Sequence, residues 1–344
     1  MRVVAALHRY VPVQNAGAET MAHAMLRALA RRGHDVDVVL SMQAGDPYTV
    51  DGVRVHPARS KRDLFAWLPK ADVLVSHLMN SPRAAFLGKW NNIPVALIHH
   101  NTFQVTKDLP LTPEARVDLI VVNSQWMADD LAAHFRARGR PQPRTIIVRP
   151  IPDRVEYQTE PGDRVTLVNL RMLETDSDGG RMGKGAEVFW ALAKRMPRTK
   201  FLGVTGGYGA QLVEDLPNVE VLPHVPAHEM RDRVYARTRV LLVPSSYESW
   251  GRVASEALCS GIPVIATPTA GLVENLGDAG IFVDASDIDG WVKALRTLAM
   301  PKPYEAARKR ALARAEWQER IRQAEEEVWC DEVERLAARK AVLA

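Results

Sequence analysis

Short apolar runs alternate with amphipathic stretches along the N-terminal half of the chain. The runs Val3–Leu7, Val36–Leu40 and Val95–His99 are apolar nearly throughout, which is typical of strands in a parallel sheet covered on both faces. Between the first two runs, residues 18–32 have apolar side chains at helical spacing and end at Gly33, a common helix C-cap. Further strands are predicted at Val73–Ser76, Leu119–Asn123 and Thr145–Val148. This repetition predicts a doubly wound α/β domain.

A second alternating series follows a polar segment, residues 150–165, in which three prolines and Gly162 exclude a regular element. Its strands are predicted at Val165–Asn169, Thr199–Val204, Val219–Leu222, Val240–Val243, Val264–Ala266 and Ile281–Val283, and its helices near 185–196, 228–237, 251–260 and 287–299. We therefore predict two Rossmann-like domains, residues 1–155 and 156–315, that face each other across a cleft. Residues 316–344 are predicted to form a charged helix, either solvated or packed on the first domain.

Composition narrows the class of protein. A length of 344 residues suits about two domains, and no apolar run approaches the ~20 residues of a membrane-spanning helix. Cys259 and Cys330 lack metal-type spacing, so we expect no zinc site, no disulfide and a cytoplasmic location. The net charge of +4 is weak evidence for an anionic partner. A basic cluster could bind a phosphorylated acceptor, a membrane or a nucleic acid, although such clusters are more often part of a solvated loop. Its members are Arg136, Arg138, Arg140 and Arg144.

The strongest chemical pattern follows the predicted strand at Val240–Val243. It reads Pro-Ser-Ser-Tyr-Glu-Ser-Trp-Gly-Arg-Val-Ala-Ser-Glu and places Glu248 in a loop and Glu256 in a helix beginning near Gly251. In open α/β sheets, ligands bind beyond the carboxyl ends of the strands. Free N–H groups at a helix start favour an anion such as a diphosphate, and a carboxylate can accept two hydrogen bonds from a diol. Taken alone, such a pair is more often two surface glutamates.

The wider text closely resembles the glutamate–seven–glutamate motif of retaining GT-B glycosyltransferases of family 4. The matching text includes Glu-Ala-Leu from Glu256, Gly-Ile-Pro-Val from Gly261, and Gly271 with Glu274. The resemblance extends over nearly the whole chain. It implies transfer of a glycosyl group from a nucleotide-diphosphate sugar, with retention of configuration and with neither a metal nor a cofactor.

The resemblance leaves the acceptor open. A saccharide, a lipid-linked molecule, a protein and a nucleic acid are all possible acceptors. Peripheral membrane contact is open too, and no obligate protein partner is indicated.

In the second domain the resemblance also assigns roles. Arg171 and Lys184 match the family's strand-end arginine and Lys-Gly pair, which implies that they neutralise the leaving diphosphate. Leu170 stands where the family usually has glycine, and Arg181 is an alternative to Arg171. Glu248 would orient the sugar and Glu256 the ribose. Further donor contacts are implied at Trp250, Gly251, Arg252, Gly206, His224 and Val225. Arg252 could instead pair with Glu256, four residues on.

In the first domain, the sequence around Gly17 is similar to the family's Gly-Gly-Ala-Glu loop, although Ala16 replaces the first glycine. Gly17 would let the backbone approach a ligand. His100 matches the family's strand-end histidine, which implies a hydrogen bond to the donor sugar, and His99 is its rival. Ser124 lies in a segment that resembles the family's strand-end serine, but we interpret it as a helix N-cap.

Several other patterns are weaker. Asp-x-Asp pairs bind metals in another glycosyltransferase fold, but Asp35 with Asp37 flanks a strand and Asp287 with Asp289 opens a helix. The pair at 176 and 178 lies near the expected phosphates and is the better metal candidate, although we expect no metal. The missing Gly-x-Gly-x-x-Gly disfavours a nicotinamide dehydrogenase. The alternatives retained are a nucleotide-sugar 2-epimerase of similar fold and a catalytically inactive nucleotide-binding protein.

Overall fold

The computed structural model describes residues 1–14, 16–57, 63–172, 174–175, 181–207 and 209–343. The chain divides into two compact units. The first comprises Met1–Pro150 with Arg322–Ala344, and the second comprises Ile151–Ile321. The limits predicted from the sequence are residues 155 and 315.

The first unit is built on an eight-stranded sheet. Its strands are β1 (Arg2–Leu7), β2 (Asp35–Leu40), β3 (Tyr48–Val50), β4 (Val53–His56), β5 (Val73–His77), β6 (Val95–His99), β7 (Leu119–Val122) and β8 (Thr145–Ile147). They lie in the order β3-β4-β2-β1-β5-β6-β7-β8, and every neighbouring pair is parallel except β3 with β4. Its helices before residue 150 are α1 (Gly17–Arg31), α2 (Asp63–Trp67), α3 (Ser81–Trp90), α4 (Gln104–Asp108) and α5 (Gln125–Ala137).

The hairpin of β3 and β4 at the sheet edge was not predicted. Its two-residue loop, Asp51-Gly52, has positive φ angles of 48° and 81°, as the tight turns that match strand twist require. Val50 pairs with Val53 across it, and Val53 and Val55 point into the core. An Asp-Gly pair flanked by alternating residues is a hairpin signal that could have identified this element.

A buried carboxylate ties the hairpin to the rest of this sheet. Asp37 is fully buried in β2 and accepts hydrogen bonds from the Nε atoms of Arg54 (2.8 Å) and Arg2 (2.9 Å), and from His56 (2.9 Å). Burial alone would raise the pKa of Asp37, but these hydrogen bonds outweigh it and hold the pKa far below its usual value. Asp37 is therefore a structural charge.

The second unit has a six-stranded, all-parallel sheet. Its strands are β9 (Arg164–Val168), β12 (Phe201–Val204), β13 (Val219–Leu222), β14 (Thr238–Val243), β15 (Val264–Ala266) and β16 (Gly280–Phe282), and a separate hairpin consists of β10 (Glu174–Thr175) and β11 (Arg181–Met182). The sheet order is β13-β12-β9-β14-β15-β16. Every strand predicted in either half is present, with ends that differ by at most two residues. Uninterrupted apolar runs thus identified the buried parallel strands correctly.

The helices of the second unit depart further from prediction. They are α6 (Arg154–Tyr157), α7 (Ala186–Arg195), α8 (Met230–Arg233), α9 (Arg252–Leu258), α10 (Ala270–Leu276), α11 (Ile288–Ala299) and α12 (Pro301–Leu343). The helix predicted at 228–237 is wrong as a continuous element, since α8 is one turn flanked by 3-10 turns at 227–229 and 235–237. The chain tightens there because Val234 and Tyr235 are both wholly buried just before β14. Asp287 caps α11 by accepting from the Gly290 N–H at 2.8 Å, as its position predicted.

The long helix α12 contributes to both units. From Arg322 onward it belongs to the first unit, where Trp329, Cys330 and Val333 are buried in the core. The Trp329 indole donates to the Met25 carbonyl at 2.9 Å. These side chains of α12 thus form part of the core of the first unit. No helix in the described part of the chain is both long and apolar enough to span a bilayer.

Candidate functional site

An ion pair stands beyond the carboxyl ends of the second sheet. Lys184 Nζ lies 2.5 Å from Glu248 Oε1, and the Ser245 hydroxyl donates to the same oxygen at 2.9 Å. The Lys184 side chain is 32% exposed and that of Glu248 is 12% exposed. Two residues 64 positions apart, both predicted to contact the donor, are therefore neighbours that a ligand can reach.

Glycines fix the backbone around this pair. Gly185 has a φ of +73°, and a Cβ there would lie 2.4 Å from the Pro244 carbonyl oxygen. At Gly271, a Cβ would lie 2.2 Å from the carbonyl oxygen of Glu248. Side chains at either position would push apart the segments that carry Lys184 and Glu248. These close approaches give a physical reason for glycine at the two positions that resemble the family's motifs.

A buried asparagine holds the turn that follows Glu248. Gly251 precedes α9 with a φ of +85°, and the Asn275 amide donates to the carbonyls of Trp250 (2.9 Å) and Gly251 (3.0 Å). Trp250 is wholly buried, and its indole donates to the Ser255 hydroxyl at 3.0 Å. The Trp250 side chain is thus part of the interior, so a donor contact at this residue would have to come from its backbone.

Helix α12 supports this asparagine. The Gln318 amide donates to Asn275 Oδ1 at 2.7 Å, and Arg314 donates to the carbonyls of Asn275 (2.7 Å) and Glu274 (2.5 Å). Sequence reasoning missed Asn275 and Gln318. They stand 43 positions apart, and no local spacing marks them as partners.

The second glutamate of the motif is already bound on both oxygens. Glu256 is 5% exposed, with Oε1 held by the Arg252 Nε at 2.8 Å and Oε2 by the Tyr235 hydroxyl at 2.6 Å. Arg252 also reaches the Tyr157 hydroxyl at 3.3 Å. Of the two roles considered for Arg252, the structure shows the ion pair with Glu256. Because Glu256 is nearly buried, a ribose would reach it only at the lone pairs that these two bonds leave open.

A second group of predicted residues gathers at the ends of β9 and β12. Arg171 lies against Gly209, where a Cβ would be 3.2 Å from its Nε, and the Lys184 N–H donates to the Arg171 carbonyl at 3.3 Å. Gly206 is pressed against Asn169, since a Cβ would lie 2.3 Å from its Oδ1. Asn169 itself has a φ of +72°.

The remaining residues predicted to contact the donor differ in the exposure of their side chains. His224 is exposed and lies near Gly207, whereas the Val225 side chain is buried in the core. The Arg181 side chain and the pair at 176 and 178 lie outside the described residues. Among the described side chains, no group of three or more His, Cys, Asp or Glu is arranged to hold a metal ion.

Histidines collect at the strand ends of the first sheet. His99 is 2% exposed at the end of β6, and His100, which is partly exposed, lies with its Nε2 2.9 Å from Nδ1 of the buried His77. Burial lowers the pKa of His77 and of His99 to about 4, and burial together with the neighbouring His77 and His99 lowers that of His100. All three are therefore neutral at pH 7, and His100 is the one of the predicted pair that solvent reaches.

Two other predicted residues of the first unit lie at helix starts. Gly17 is exposed at the first position of α1, and a Cβ there would meet no atom within 4 Å. Ser124 precedes α5 at the N-cap position, but its side chain makes no capping bond to the backbone. Its hydroxyl donates instead to Asn123 Oδ1 at 3.4 Å, so the predicted capping role is wrong.

The arginine cluster of the first unit is partly paired. Arg144 binds Glu332 at 2.5 Å, and Arg138 lies 3.6 Å from Asp108. Arg136 and Arg140 are exposed. These pairs do not favour a dedicated polyanion site at the cluster.

Each of the two units matches a known protein family. Residues 15–151 match the family described as Glycosyltransferase Family 4, and residues 180–300 match the family described as Glycosyl transferases group 1. The chain belongs to these glycosyltransferases. It is thus an enzyme of the transferase class, with the two parallel α/β units of the GT-B fold.

Individual relatives agree with this assignment. The glycosyltransferase is 26% identical over 358 residues to the D-inositol 3-phosphate glycosyltransferase of Corynebacterium diphtheriae, covering 80% of each chain. Sucrose-phosphate synthase from Thermosynechococcus elongatus superposes with a TM-score of 0.68 at 17% identity, covering 100% of both chains. Anabaena HepE in complex with UDP-glucose superposes with a TM-score of 0.67 at 14% identity, covering 98% of this chain and 99% of HepE.

Proposed function

We propose that this glycosyltransferase takes its sugar from a nucleotide-diphosphate sugar and retains the configuration at the anomeric carbon. The observation that carries the proposal is the Lys184–Glu248 pair, a reachable cation and carboxylate beyond the strand ends. That a related fold, HepE, was solved with UDP-glucose supports a donor of this class.

In the proposed reaction, the bond between the anomeric carbon and the leaving phosphate oxygen breaks, and its electron pair stays on the diphosphate. The acceptor hydroxyl oxygen bonds to the same face of that carbon, and its proton passes to the departing phosphate oxygen. Negative charge grows on the diphosphate as the bond breaks. Lys184 would stabilise this charge, together with Arg171, whose backbone carbonyl accepts from the Lys184 N–H.

Binding would require an exchange of partners. Lys184 and Glu248 neutralise each other in the structure, so an incoming diphosphate competes with Glu248 for the ammonium group. Once released, the Glu248 carboxylate becomes an acceptor for sugar hydroxyls. Glu256 would hold the ribose through the lone pairs left open by its bonds to Arg252 and Tyr235.

The first unit would supply the remaining contacts. His100 is the proposed partner of the donor sugar, and its neutral imidazole can donate a hydrogen bond without adding charge. Gly17 leaves open space at the start of α1, where backbone N–H groups can approach a ligand. The base contacts proposed at Gly206, His224 and Val225 would come mainly from the backbone.

The test compares two lysines of the same unit. Lys184→Ala should lower kcat for glycosyl transfer or donor hydrolysis by about 10²–10³-fold while the melting temperature stays close to that of the wild type. The control is Lys194→Ala, which breaks a surface pair with Glu214 at 2.6 Å and should leave kcat unchanged. Equal activity in both variants would refute the role of Lys184.

The stereochemistry and the rival functions are decided by product analysis. Proton NMR of the product from an α-linked donor should show an α-linkage, and a β-linkage would refute retention. Inversion at C2 without glycosyl release would indicate the epimerase. Donor binding without turnover would indicate an inactive nucleotide-binding protein.

A further inference from the structure

Exposed aromatic side chains are unevenly divided between the units. Across the described residues, the Phe and Trp side chains that are exposed all lie in the first unit: Phe65 (49%), Phe86 (39%), Trp90 (85%) and Phe103 (50%). A Trp side chain exposed to 85% gives up most of the free energy that its burial would provide. A concentration of such residues on one unit indicates a surface that another body covers.

Two large apolar side chains and a cation follow one face of α3. Arg83, Phe86 and Trp90 are separated by three and four residues, the spacing that places side chains on one side of a helix. Met79, just before the helix, is 72% exposed. Phe65 of α2 joins this face, since the Arg83 guanidinium lies 5.9 Å from its ring centroid. These five residues are called the aromatic stripe.

The opposite face of α3 packs against the sheet. Ala84, Ala85 and Leu87 are buried there, and a Cβ at Gly88 would lie 2.1 Å from the Val95 side chain. The helix is therefore pressed against β6 by residues that cannot rotate outward. Because one face already supplies the core, the aromatic stripe is not a misplaced core face.

The charge on α3 has one sign, whereas α2, which supplies Phe65, begins with Asp63. Helix α3 contains Arg83 and Lys89 and no acidic residue. Aromatic side chains at the level of lipid headgroups, flanked by cations that meet anionic lipids, are the features of a helix that lies in a membrane interface.

The stripe also begins beside a strand-end pocket. Arg83, with Asn80 just before α3, lines this pocket, and its other walls are Ala6, Val39, Leu40, Ser41 and Leu64. His8 lies against it through a 2.6 Å hydrogen bond with the Ser41 hydroxyl. Polar groups at the ends of β1 and β2 thus stand next to the exposed aromatic side chains.

We propose that the aromatic stripe docks this enzyme on an anionic lipid surface and brings the strand-end pocket to the headgroups. The docking itself stands independently of the donor chemistry. Its consequence, that the sugar acceptor is borne by a lipid, rests on the proposed function.

The first experiment measures sedimentation of the full chain with vesicles. Wild type should bind vesicles of phosphatidylcholine with 30 mol% phosphatidylglycerol, and it should bind vesicles of pure phosphatidylcholine at least about tenfold more weakly. The double variant Phe86→Ser/Trp90→Ser should lose at least about tenfold in partitioning to the anionic vesicles. The matched control is Val213→Ser/Met300→Ser, which removes two exposed apolar side chains from the second unit and should bind like wild type.

Three outcomes would overturn the inference. They are no binding of wild type to anionic vesicles, equal binding by Phe86→Ser/Trp90→Ser, or a lipid-free self-association that only this variant abolishes. The last would assign the stripe to a second copy of the chain. Donor turnover without lipid should be the same in wild type and in Phe86→Ser/Trp90→Ser, so failure of the donor chemistry and failure of docking are read separately.

Discussion

The two units share a parallel sheet but use their polar groups differently. In the first unit, the most strongly bonded charge, Asp37, is sealed inside the sheet, and His99 is buried and neutral at a strand end. In the second unit, Lys184 and Glu248 stand at the strand ends with part of each side chain exposed. A strand end therefore carries a buried neutral histidine in the first unit and a partly exposed ion pair in the second.

The difference shows how one architecture can supply two kinds of surface. A leaving diphosphate needs cations that can exchange partners, and the second unit has them within a frame of close-packed glycines. The first unit buries the strongly hydrogen-bonded Asp37 and exposes aromatic side chains. Its buried polar groups, Asp37 and His99, should thus mainly affect folding, and the strand-end charges of the second unit mainly turnover.

The largest effect is expected at Asp37. Asp37→Asn should lower the free energy of unfolding of the first unit by about 3–5 kcal/mol at pH 7, because Arg2 and Arg54 lose a buried charged partner. Urea denaturation with hydrogen exchange in β1, β2 and β4 would measure it. Asp163→Asn, at an exposed pair with Lys200 in the second unit, is the control. A loss below about 1 kcal/mol would contradict the structural assignment.

The next effect concerns pH and His99. Its folded pKa is about 4 against an ordinary 6.5, so between these values the unfolded chain binds a proton that the folded chain does not. Stability should be unaffected above pH 6.5 and fall as pH decreases, by about 2 kcal/mol at pH 5 for this histidine. His99→Asn should lessen the loss between pH 7 and pH 5, whereas His228→Asn, at an exposed site, should not. An unchanged loss in His99→Asn would exclude the buried neutral imidazole.

A smaller effect is expected at Gln318. Gln318→Leu removes one of the donors to Oδ1 of the buried Asn275, which should loosen the turn at Trp250 and Gly251. We expect about a tenfold rise in KM for the donor, with kcat changed less. Gln104→Leu, which removes a bond to Asp108 on an exposed helix, should leave KM unchanged. A general loss of stability with no change in KM would make Gln318 a purely structural residue.

The smallest predicted effect is a gain in binding. Glu248→Gln removes the carboxylate that competes for Lys184, so free nucleoside diphosphate should bind severalfold more tightly, by about 1 kcal/mol. Turnover should fall in the same variant because the sugar loses its charged acceptor. Calorimetry with the nucleoside diphosphates of guanine, uracil and adenine would test this and report the base. Weaker binding of all of them would refute the exchange of partners.

The sequence by itself determined the two series of buried parallel strands, because short apolar runs that alternate with helical patterns are typical of parallel strands covered on both faces. The motif around Glu248 also indicated the family. The sequence did not reveal the β3–β4 hairpin, although Asp51-Gly52 carries the signal, since that signal is a turn and not an apolar run.

Only the tertiary structure decided which predicted side chains meet. In the folded chain Lys184 pairs with Glu248, and Glu256 is bonded to Arg252 and Tyr235. Trp250 is buried, and Asn275 links the turn that follows Trp250 to Gln318. Spacing along a chain fixes neighbours within one helix or strand, as at Arg252 and Glu256. Partners 43 or 64 positions apart become neighbours only when the sheet order and the close approaches at glycines bring their segments together.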